Sequence, residues 1–223
     1  MELILAEKPS AARNFSKALG GKTGNYAGTE YKITNLRGHV MGLLPPDKQV
    51  PANKADFYKS WELENLPWDL DDFAWKKGIL NGCKDIISGL KDELKGADCV
   101  VIATDVDPSG EGELLAWEAL EKCGWRGPTK RMYFADEAPA SVQKAFRERK
   151  TLPSMDKDGD YVKAVVRERW HLASMQFTRA ATLVARKKGF RTVVRQGRLK
   201  SVMVKLTGDQ LKAYNEYVRK PFY

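Results

Sequence analysis

Histidine and cysteine are scarce in this chain of 223 residues, which contains two and three of them respectively. Cys83, Cys99 and Cys123 are odd in number and lack C-x-x-C spacing, which argues against a disulfide framework and against a zinc site. With His39 and His171 as the only imidazoles, metal-dependent chemistry here must depend on carboxylates. Free thiols are typical of a reducing compartment, and we predict a cytoplasmic protein.

Long apolar runs are also absent. No stretch approaches the roughly 18–20 apolar residues that a membrane span requires, so we expect no membrane association. The opening residues, Met1–Ala6, are too few and too acidic for a signal peptide and are better interpreted as a first strand. A hydrophobic content of 43% is sufficient for the core of one large domain, or of one domain plus a smaller one.

Positive charge is concentrated in the last third of the chain. Residues 151–223 contain 16 Lys and Arg against 6 Asp and Glu, a net charge of +10, whereas residues 1–150 carry a net charge of −1. An asymmetry on the scale of a domain indicates a polyanionic partner for the basic segment. A solvated basic surface without a partner is the alternative interpretation.

Strand and helix patterns alternate through the first 150 residues. Apolar runs predict strands at Glu2–Ala6, Tyr31–Leu36, Cys99–Ala103 and Arg131–Phe134. Helical patterns lie at residues 9–19, 75–95, 111–122 and 138–149, and the Pro- and Trp-rich residues 38–72 form a long excursion without clear periodicity. Such alternation predicts an α/β fold in which helices flank a parallel sheet.

The pattern changes after Leu152-Pro153. Residues 161–188 are helical and basic, residues 189–197 interrupt the pattern, and residues 201–218 return to helical spacing. Apolar positions in the first of these helices predict core contacts at Val162, Val165, Val166, Trp170, Leu172 and Phe177. We therefore predict two domains, an α/β domain over residues 1–152 and a mostly helical, basic segment over residues 153–223.

An acidic turn follows the apolar strand Cys99–Ala103. It contains Asp105, Asp107, Glu111 and Glu113, with Gly110 and Gly112 allowing a tight turn into the next helix. Ligands of open α/β sheets bind at the carboxyl ends of strands, and hard oxygen donors without His or Cys suit Mg²⁺. The alternative is an exposed acidic turn whose Glu residues favour a helix N-terminus.

A second polar motif, Glu7-Lys8, follows the first predicted strand. It shares an edge of the sheet with the acidic turn if the two strands are parallel neighbours. A carboxylic acid there can give a proton to a leaving oxygen, and an ammonium group can neutralise a phosphate oxygen. A surface Glu-Lys pair at a helix start is the alternative. Two such motifs at one edge of the sheet favour a functional site over two unrelated surface motifs.

Together these residues resemble the TOPRIM domain of type IA topoisomerases, bacterial primases and certain nucleases, which pairs a Glu after the first strand with a later Asp-x-Asp. Six segments resemble motifs of the topoisomerase III branch, in the order of that family. They are Ala6–Arg13, Gly38–Val40, Tyr58–Pro67, Glu111–Leu115, Thr178–Ala180 and Gly197–Leu199. The resemblance covers nearly the whole chain.

The resemblance implies a Rossmann-like TOPRIM domain over residues 1–152 and part of the helical domain IV over residues 153–223. It places Glu7 near the leaving oxygen, Lys8 on the scissile phosphate and Mg²⁺ on Asp105, Asp107 and Glu111. His39 would be an orienting group beside them, with a structural histidine as the alternative. Phosphates of DNA, mainly single-stranded, would be bound by Arg167, Arg179 and Arg198. Surface ion pairs are the alternative for these arginines, and we expect a monomer.

The chain departs from the family pattern at three places. Pro108-Ser109-Gly110 stands where one basic residue is common, which displaces Glu111 by two positions and makes Glu113 the alternative third ligand. Trp170 stands where an acid is usual. Arg195 and Lys200 replace small and amide residues, a change that favours phosphate contacts over base readout.

The family cleaves DNA with a tyrosine of a separate domain, held in a Ser-Tyr-x-Arg setting. Tyr214, Tyr217 and Tyr223 lack that setting. We therefore expect an N-terminal fragment of a type IA topoisomerase that is inactive by itself. The alternatives are a stand-alone TOPRIM nuclease or primase-like enzyme, and a non-catalytic module that binds nucleic acid.

Overall fold

The computed structural model describes residues 1–197 and 199–219. The chain packs as two compact units. Unit 1 comprises Met1–Leu44 and Trp75–Arg169. Unit 2 comprises Pro45–Ala74 and the described residues from Trp170 onwards. This division by packing differs from the boundary predicted between residues 152 and 153. Local patterns cannot reveal it, because an excursion from the first part of the sequence packs with residues more than 100 positions later.

Within the described residues, eight strands form two sheets. They are β1 (Glu2–Ala6), β2 (Thr23–Tyr26), β3 (Thr29–Asn35), β4 (Met41–Leu43), β5 (Lys77–Ile79), β6 (Cys99–Ala103), β7 (Thr129–Arg131) and β8 (Lys150–Thr151). The larger sheet has the order β2-β3-β1-β6-β7-β8, with four parallel central strands and an antiparallel strand at each edge. The predicted α/β fold is therefore confirmed, while the short, polar edge strands β2 and β8 were not predicted.

Eight α-helices accompany the strands in the part of the chain that the structure describes. They are α1 (Pro9–Leu19), α2 (Pro46–Gln49), α3 (Ala55–Lys59), α4 (Lys84–Leu94), α5 (Glu111–Cys123), α6 (Pro139–Arg147), α7 (Gly159–Lys187) and α8 (Lys200–Asn215). The helix predicted from residue 75 begins only at Lys84, because the Gly78 region pairs with β4 as β5 and Gly82 has a positive φ of 78°. No helix among the described residues is long and apolar enough to span a membrane.

The central strands bury both faces, as expected for a covered parallel sheet. Along β1, Leu3 and Leu5 contribute to one core cluster, whereas Ile4 and Ala6 contribute to the other. The first cluster includes buried residues of α4 and α5, and the second includes buried residues of α1 and α6. Two helical layers thus cover the sheet and leave the ends of its strands for other interactions.

Unit 2 has an aromatic core in which Tyr58, Trp68 and Phe73 lie with ring centroids 5.5–6.2 Å apart. The core contacts predicted along α7 are largely wrong. Leu172 is buried, but the side chains of Val162, Val166, Trp170 and Phe177 are all more than 40% exposed, and Val165 is intermediate. The helix instead buries smaller or polar residues, including Ala164, Ala173, Arg179 and Thr182, which apolar spacing does not identify.

We predict that Phe146→Ala lowers the free energy of unfolding by about 3–5 kcal/mol, because Phe146 is fully buried in the α1–α6 core and its loss leaves a cavity. Chemical denaturation measures the change. Leu80→Ala, at a side chain that is 41% exposed, is the matched control and should cost less than about 1 kcal/mol. Equal losses in the two variants would contradict this description of the core.

Candidate active site at the carboxyl edge of the sheet

The pairing of β1 with β6 brings the two predicted polar motifs together. Ala6 lies opposite Ala103, so Glu7-Lys8 and Asp105 leave the sheet side by side. The Asp105 backbone N–H donates to Glu7 Oε2 at 3.1 Å, and Lys8 Nζ donates to Asp105 Oδ2 at 3.1 Å. Lys8 Nζ also lies 4.0 Å from Glu7 Oε1. The hydrogen bond to Asp105 raises the pKa of Lys8, so its ammonium group stays charged.

Asp107 is held by donors of its own loop. Its Oδ1 accepts hydrogen bonds from the Ser109 backbone N–H at 2.7 Å and from the Ser109 hydroxyl, and its Oδ2 accepts from the Gly112 N–H at 3.4 Å. Partial burial opposes ionisation, but these hydrogen bonds outweigh it, and the pKa of Asp107 is lowered. Asp107 is therefore an ionised carboxylate with a defined orientation.

Glu111 lies between two cationic or polar partners. Its Oε1 is 2.7 Å from His39 Nε2, and its Oε2 accepts from Arg167 Nη2 at 2.7 Å. The hydrogen bond with His39 and the Arg167 guanidinium hold the pKa of Glu111 below its usual value. His39 arrives through β3, whose pairing with β1 continues as the Gly38 N–H donates to the Glu7 carbonyl at 2.9 Å. The structure thus brings the predicted residues Glu111, His39 and Arg167 together.

Two glycines make the acidic turn possible. Gly110, immediately before α5, has a φ of 73°, a left-handed conformation that glycine adopts without strain. A Cβ at Gly112 would lie 2.1 Å from the Asp105 carbonyl oxygen, so only glycine allows the first turn of α5 to pack against the loop. The Thr104 hydroxyl closes this packing by donating to the Gly112 carbonyl at 2.8 Å.

Glu113 is not part of the exposed acidic group. Its side chain is 3% exposed, and Oε1 accepts from Arg131 Nε at 2.6 Å. The fully buried Arg131 also donates to the carbonyls of Thr104 and Asp105, at 2.6 and 3.0 Å. Glu113 therefore neutralises the guanidinium that supports the backbone of the acidic loop. This placement does not support the alternative prediction that Glu113 is the third metal ligand.

The donor chemistry of the loop fits Mg²⁺, since Asp105 and Asp107 offer partly exposed carboxylate oxygens. Glu111 is already bonded through both oxygens to His39 and Arg167. Across residues 1–197 and 199–219, no three His, Cys, Asp or Glu side chains are arranged to hold a metal ion. Mg²⁺ is usually held through one or two carboxylates, with water and substrate phosphates completing its octahedron. Two aspartates meet that requirement.

The predicted DNA contacts of the second half differ in accessibility. Arg179 is 6% exposed, donates to the carbonyls of Tyr58 and Ser60, and lies over the rings of Trp61 and Trp68. The guanidinium therefore connects residues 45–74 to α7 through hydrogen bonds to the backbone. A side chain buried in this way does not support the predicted phosphate contact. Arg195 and Lys200 are exposed, as a phosphate contact requires. Arg198 lies outside the described residues.

Two residues of the site were not identified from the sequence. Ser109 bonds both Asp107 and Arg167, and Arg131 supports the loop from beneath. Ser109 lies in the Pro108–Gly110 departure from the family pattern, a signal that pointed to it. Arg131 lies in the predicted strand Arg131–Phe134. Its burial becomes evident only from its ion pair with the buried Glu113, and strand periodicity does not reveal that pair.

The fold and the arrangement of acids define a class of domain, and the comparisons with known proteins agree. Residues 2–136 match the Toprim domain, and the chain belongs to this family. It is 27% identical to DNA topoisomerase 3 of Staphylococcus haemolyticus over 226 residues, which cover 99% of this chain and 30% of that protein. It is 30% identical to DNA topoisomerase 3 of Staphylococcus epidermidis over 151 residues, covering 66% of this chain and 20% of that protein.

Among solved structures, full-length topoisomerase I from Thermotoga maritima matches with a TM-score of 0.62 and 21% identity, over 98% of this chain and 31% of that one. At this identity the match supports the fold alone. The expected resemblance to the topoisomerase III branch is confirmed by the sequence matches. The chain spans less than a third of the length of these relatives.

We predict that Glu113→Gln lowers the free energy of unfolding by about 3 kcal/mol, because it leaves Arg131 as an uncompensated buried charge. Denaturant unfolding measures the loss, with Glu121→Gln on the exposed side of the same helix as the control. The folded variant should keep the Mg²⁺ affinity of the parent chain. A weaker Mg²⁺ affinity without a loss of stability would return Glu113 to the ligand set.

Proposed function

We propose that this chain supplies the acidic active-site half and part of the single-stranded DNA-binding surface of a type IA DNA topoisomerase. The contact of Glu7 and Lys8 with Asp105 carries the proposal. This contact joins the ends of two adjacent parallel strands in a chain that matches DNA topoisomerase 3 over 99% of its length. Mg²⁺-dependent nicking of single strands by this chain would favour a nuclease, and DNA binding without a Mg²⁺ site would favour a non-catalytic binding module.

In the proposed site each group has one task. Asp105 and Asp107 would hold Mg²⁺, which would supply positive charge beside the phosphate. Lys8, already held against Asp105, places an ammonium group where it neutralises a phosphate oxygen. The Glu7 side chain accepts a hydrogen bond from the backbone N–H of Asp105. In the proposed reaction, the Glu7 carboxyl group exchanges a proton with the leaving oxygen. Arg167 and His39 position Glu111 at the same edge.

The reaction proposed for the whole protein is transesterification. As a tyrosine oxygen forms the 5′-phosphotyrosyl bond, the bond between phosphorus and the 3′ oxygen breaks. The tyrosine proton leaves to solvent, and the leaving oxygen takes a proton from Glu7 to become a 3′-hydroxyl. Religation reverses the exchange, and the proton that Glu7 gave to the leaving oxygen returns. No tyrosine of this chain occurs in the family's sequence setting, so the proposal assigns the nucleophile to a residue outside these 223.

DNA is the polyanion that best explains the basic last third. A single strand would lie along exposed basic residues of unit 2, of which Arg195 and Lys200 are the proposed phosphate contacts. The unpaired thiols of Cys83, Cys99 and Cys123 are consistent with a reducing compartment, and we propose a cytoplasmic monomer.

The purified chain should bind Mg²⁺ in calorimetric titration, and Asp105→Asn/Asp107→Asn should abolish that binding because both proposed ligands lose their charge. Asp92→Asn, on the surface of α4, is the control for loss of one carboxylate. The chain alone should neither relax supercoiled DNA nor nick single strands. Relaxation by the chain alone would overturn the assignment of the nucleophile, and Mg²⁺-dependent nicking that disappears in the double variant would establish a nuclease instead.

The logarithm of the affinity of the chain for single-stranded DNA should fall linearly with the logarithm of the salt concentration. Each phosphate contact contributes about 0.7 to that slope, so Arg195→Ala/Lys200→Ala should reduce it by about 1.4. Fluorescence anisotropy at several salt concentrations measures the slope. Lys91→Ala/Lys95→Ala removes the same charge from two exposed residues, one in the last turn of α4 and one immediately after it, and should leave the slope nearly unchanged. Equal effects would show that net charge, and no specific contact, governs binding.

A further inference from the structure

Ser109, in the segment Pro108–Gly110, takes part in three hydrogen bonds at the site. Its backbone N–H donates to Asp107 Oδ1 at 2.7 Å, and its hydroxyl donates to the same oxygen. The hydroxyl oxygen in turn accepts from Arg167 Nη1 at 2.5 Å. One small side chain therefore connects a proposed metal ligand with an arginine of α7.

The contacts of Ser109 are unequal across the Asp107 carboxylate. Both donors of Ser109 reach Oδ1. Among the described residues, Oδ2 receives only the Gly112 N–H, at 3.4 Å, well beyond the usual length of about 2.9–3.0 Å. A carboxylate with one oxygen saturated and its rotation restrained presents the other oxygen in a fixed direction. Oδ2 is therefore the oxygen that is available to a cation.

We propose that Ser109 is a positioning residue for the metal site: it fixes Asp107 through Oδ1 so that Oδ2 binds the divalent cation. The inference rests on the proposed function, because it takes Asp107 as a ligand. Ser109 touches neither the metal nor the substrate and acts through Asp107. Groups behind the ligands commonly change metal affinity by about 10–100-fold, since they orient the ligand and tune its basicity.

The hydroxyl suits this place because it donates and accepts at once. Its hydrogen is committed to Asp107, and a lone pair receives the Arg167 guanidinium, whose other nitrogen Nη2 holds Glu111 at 2.7 Å. Ser109 thus links Asp107 to Glu111 through Arg167. Alanine would keep only the backbone donor, whereas threonine would keep both donors and the acceptor.

Mg²⁺ titrations of the 223-residue chain by calorimetry test the proposal. We expect Ser109→Ala to weaken Mg²⁺ affinity about tenfold, and Ser109→Thr to stay within about twofold of the parent chain. Ser174→Ala, which removes a hydroxyl bonded within its own helix, is the matched control and should leave the affinity unchanged. Thermal unfolding of each variant establishes that the fold is retained.

Each outcome distinguishes the inference from the function on which it rests. If the parent chain binds no Mg²⁺, the proposed metal site itself fails. If the parent binds and Ser109→Ala binds equally well, the positioning role is overturned while the metal site stands. Equal weakening in the alanine and threonine variants, with unchanged unfolding, would also overturn it, because the hydroxyl would then not be the group that matters.

Discussion

The parallel, in-register pairing of β1 with β6 is the constraint on which the site depends. Because Ala6 lies opposite Ala103, the next residues of both strands leave the sheet at the same level, and Glu7, Lys8 and Asp105 come within hydrogen-bonding distance. The pairing is itself stabilised by the apolar cores on the two faces of the sheet. A shift of the register by one residue would exchange those faces and separate the polar groups. The core packing that fixes the register therefore also fixes the position of the site.

Charge compensation by the chain's own cations is the second organising feature. Lys8 lies between Glu7 and Asp105, Arg167 bonds Glu111, and the buried Arg131 supports the loop while Glu113 neutralises it. Clustered carboxylates repel one another, and these cations stabilise the cluster in the absence of a metal. A divalent cation at the proposed site would meet Asp107 already ionised and oriented by its own hydrogen bonds, which would reduce the reorganisation that binding requires.

Much of the α/β unit follows from local patterns. The apolar runs of β1 and β6 predicted two central strands at their observed bounds, and the Asp residues after β6 predicted an acidic site at the carboxyl edge. Prediction failed where distant partners decide the structure. Residues 75–83 have helical spacing, but part of this segment pairs with β4 as a strand. Along α7, most of the apolar residues predicted as core are exposed, whereas Arg179 is buried against Trp61 and Trp68. Spacing reports amphipathicity, and the identity of the covering partner lies elsewhere in the chain.

The sequence by itself determined the fold class, the family resemblance and the chemistry of the acids, because periodicity, residue type and motif order are local properties. Only the tertiary structure decided which acids act together. Glu111 and Glu113 are two residues apart and chemically identical, yet Glu111 meets His39 and Arg167 at the site while Glu113 is buried against Arg131. It also revealed Ser109 as the partner of Asp107. Burial and hydrogen-bond partners depend on where α5, α7 and β7 meet, and that meeting involves residues tens of positions apart.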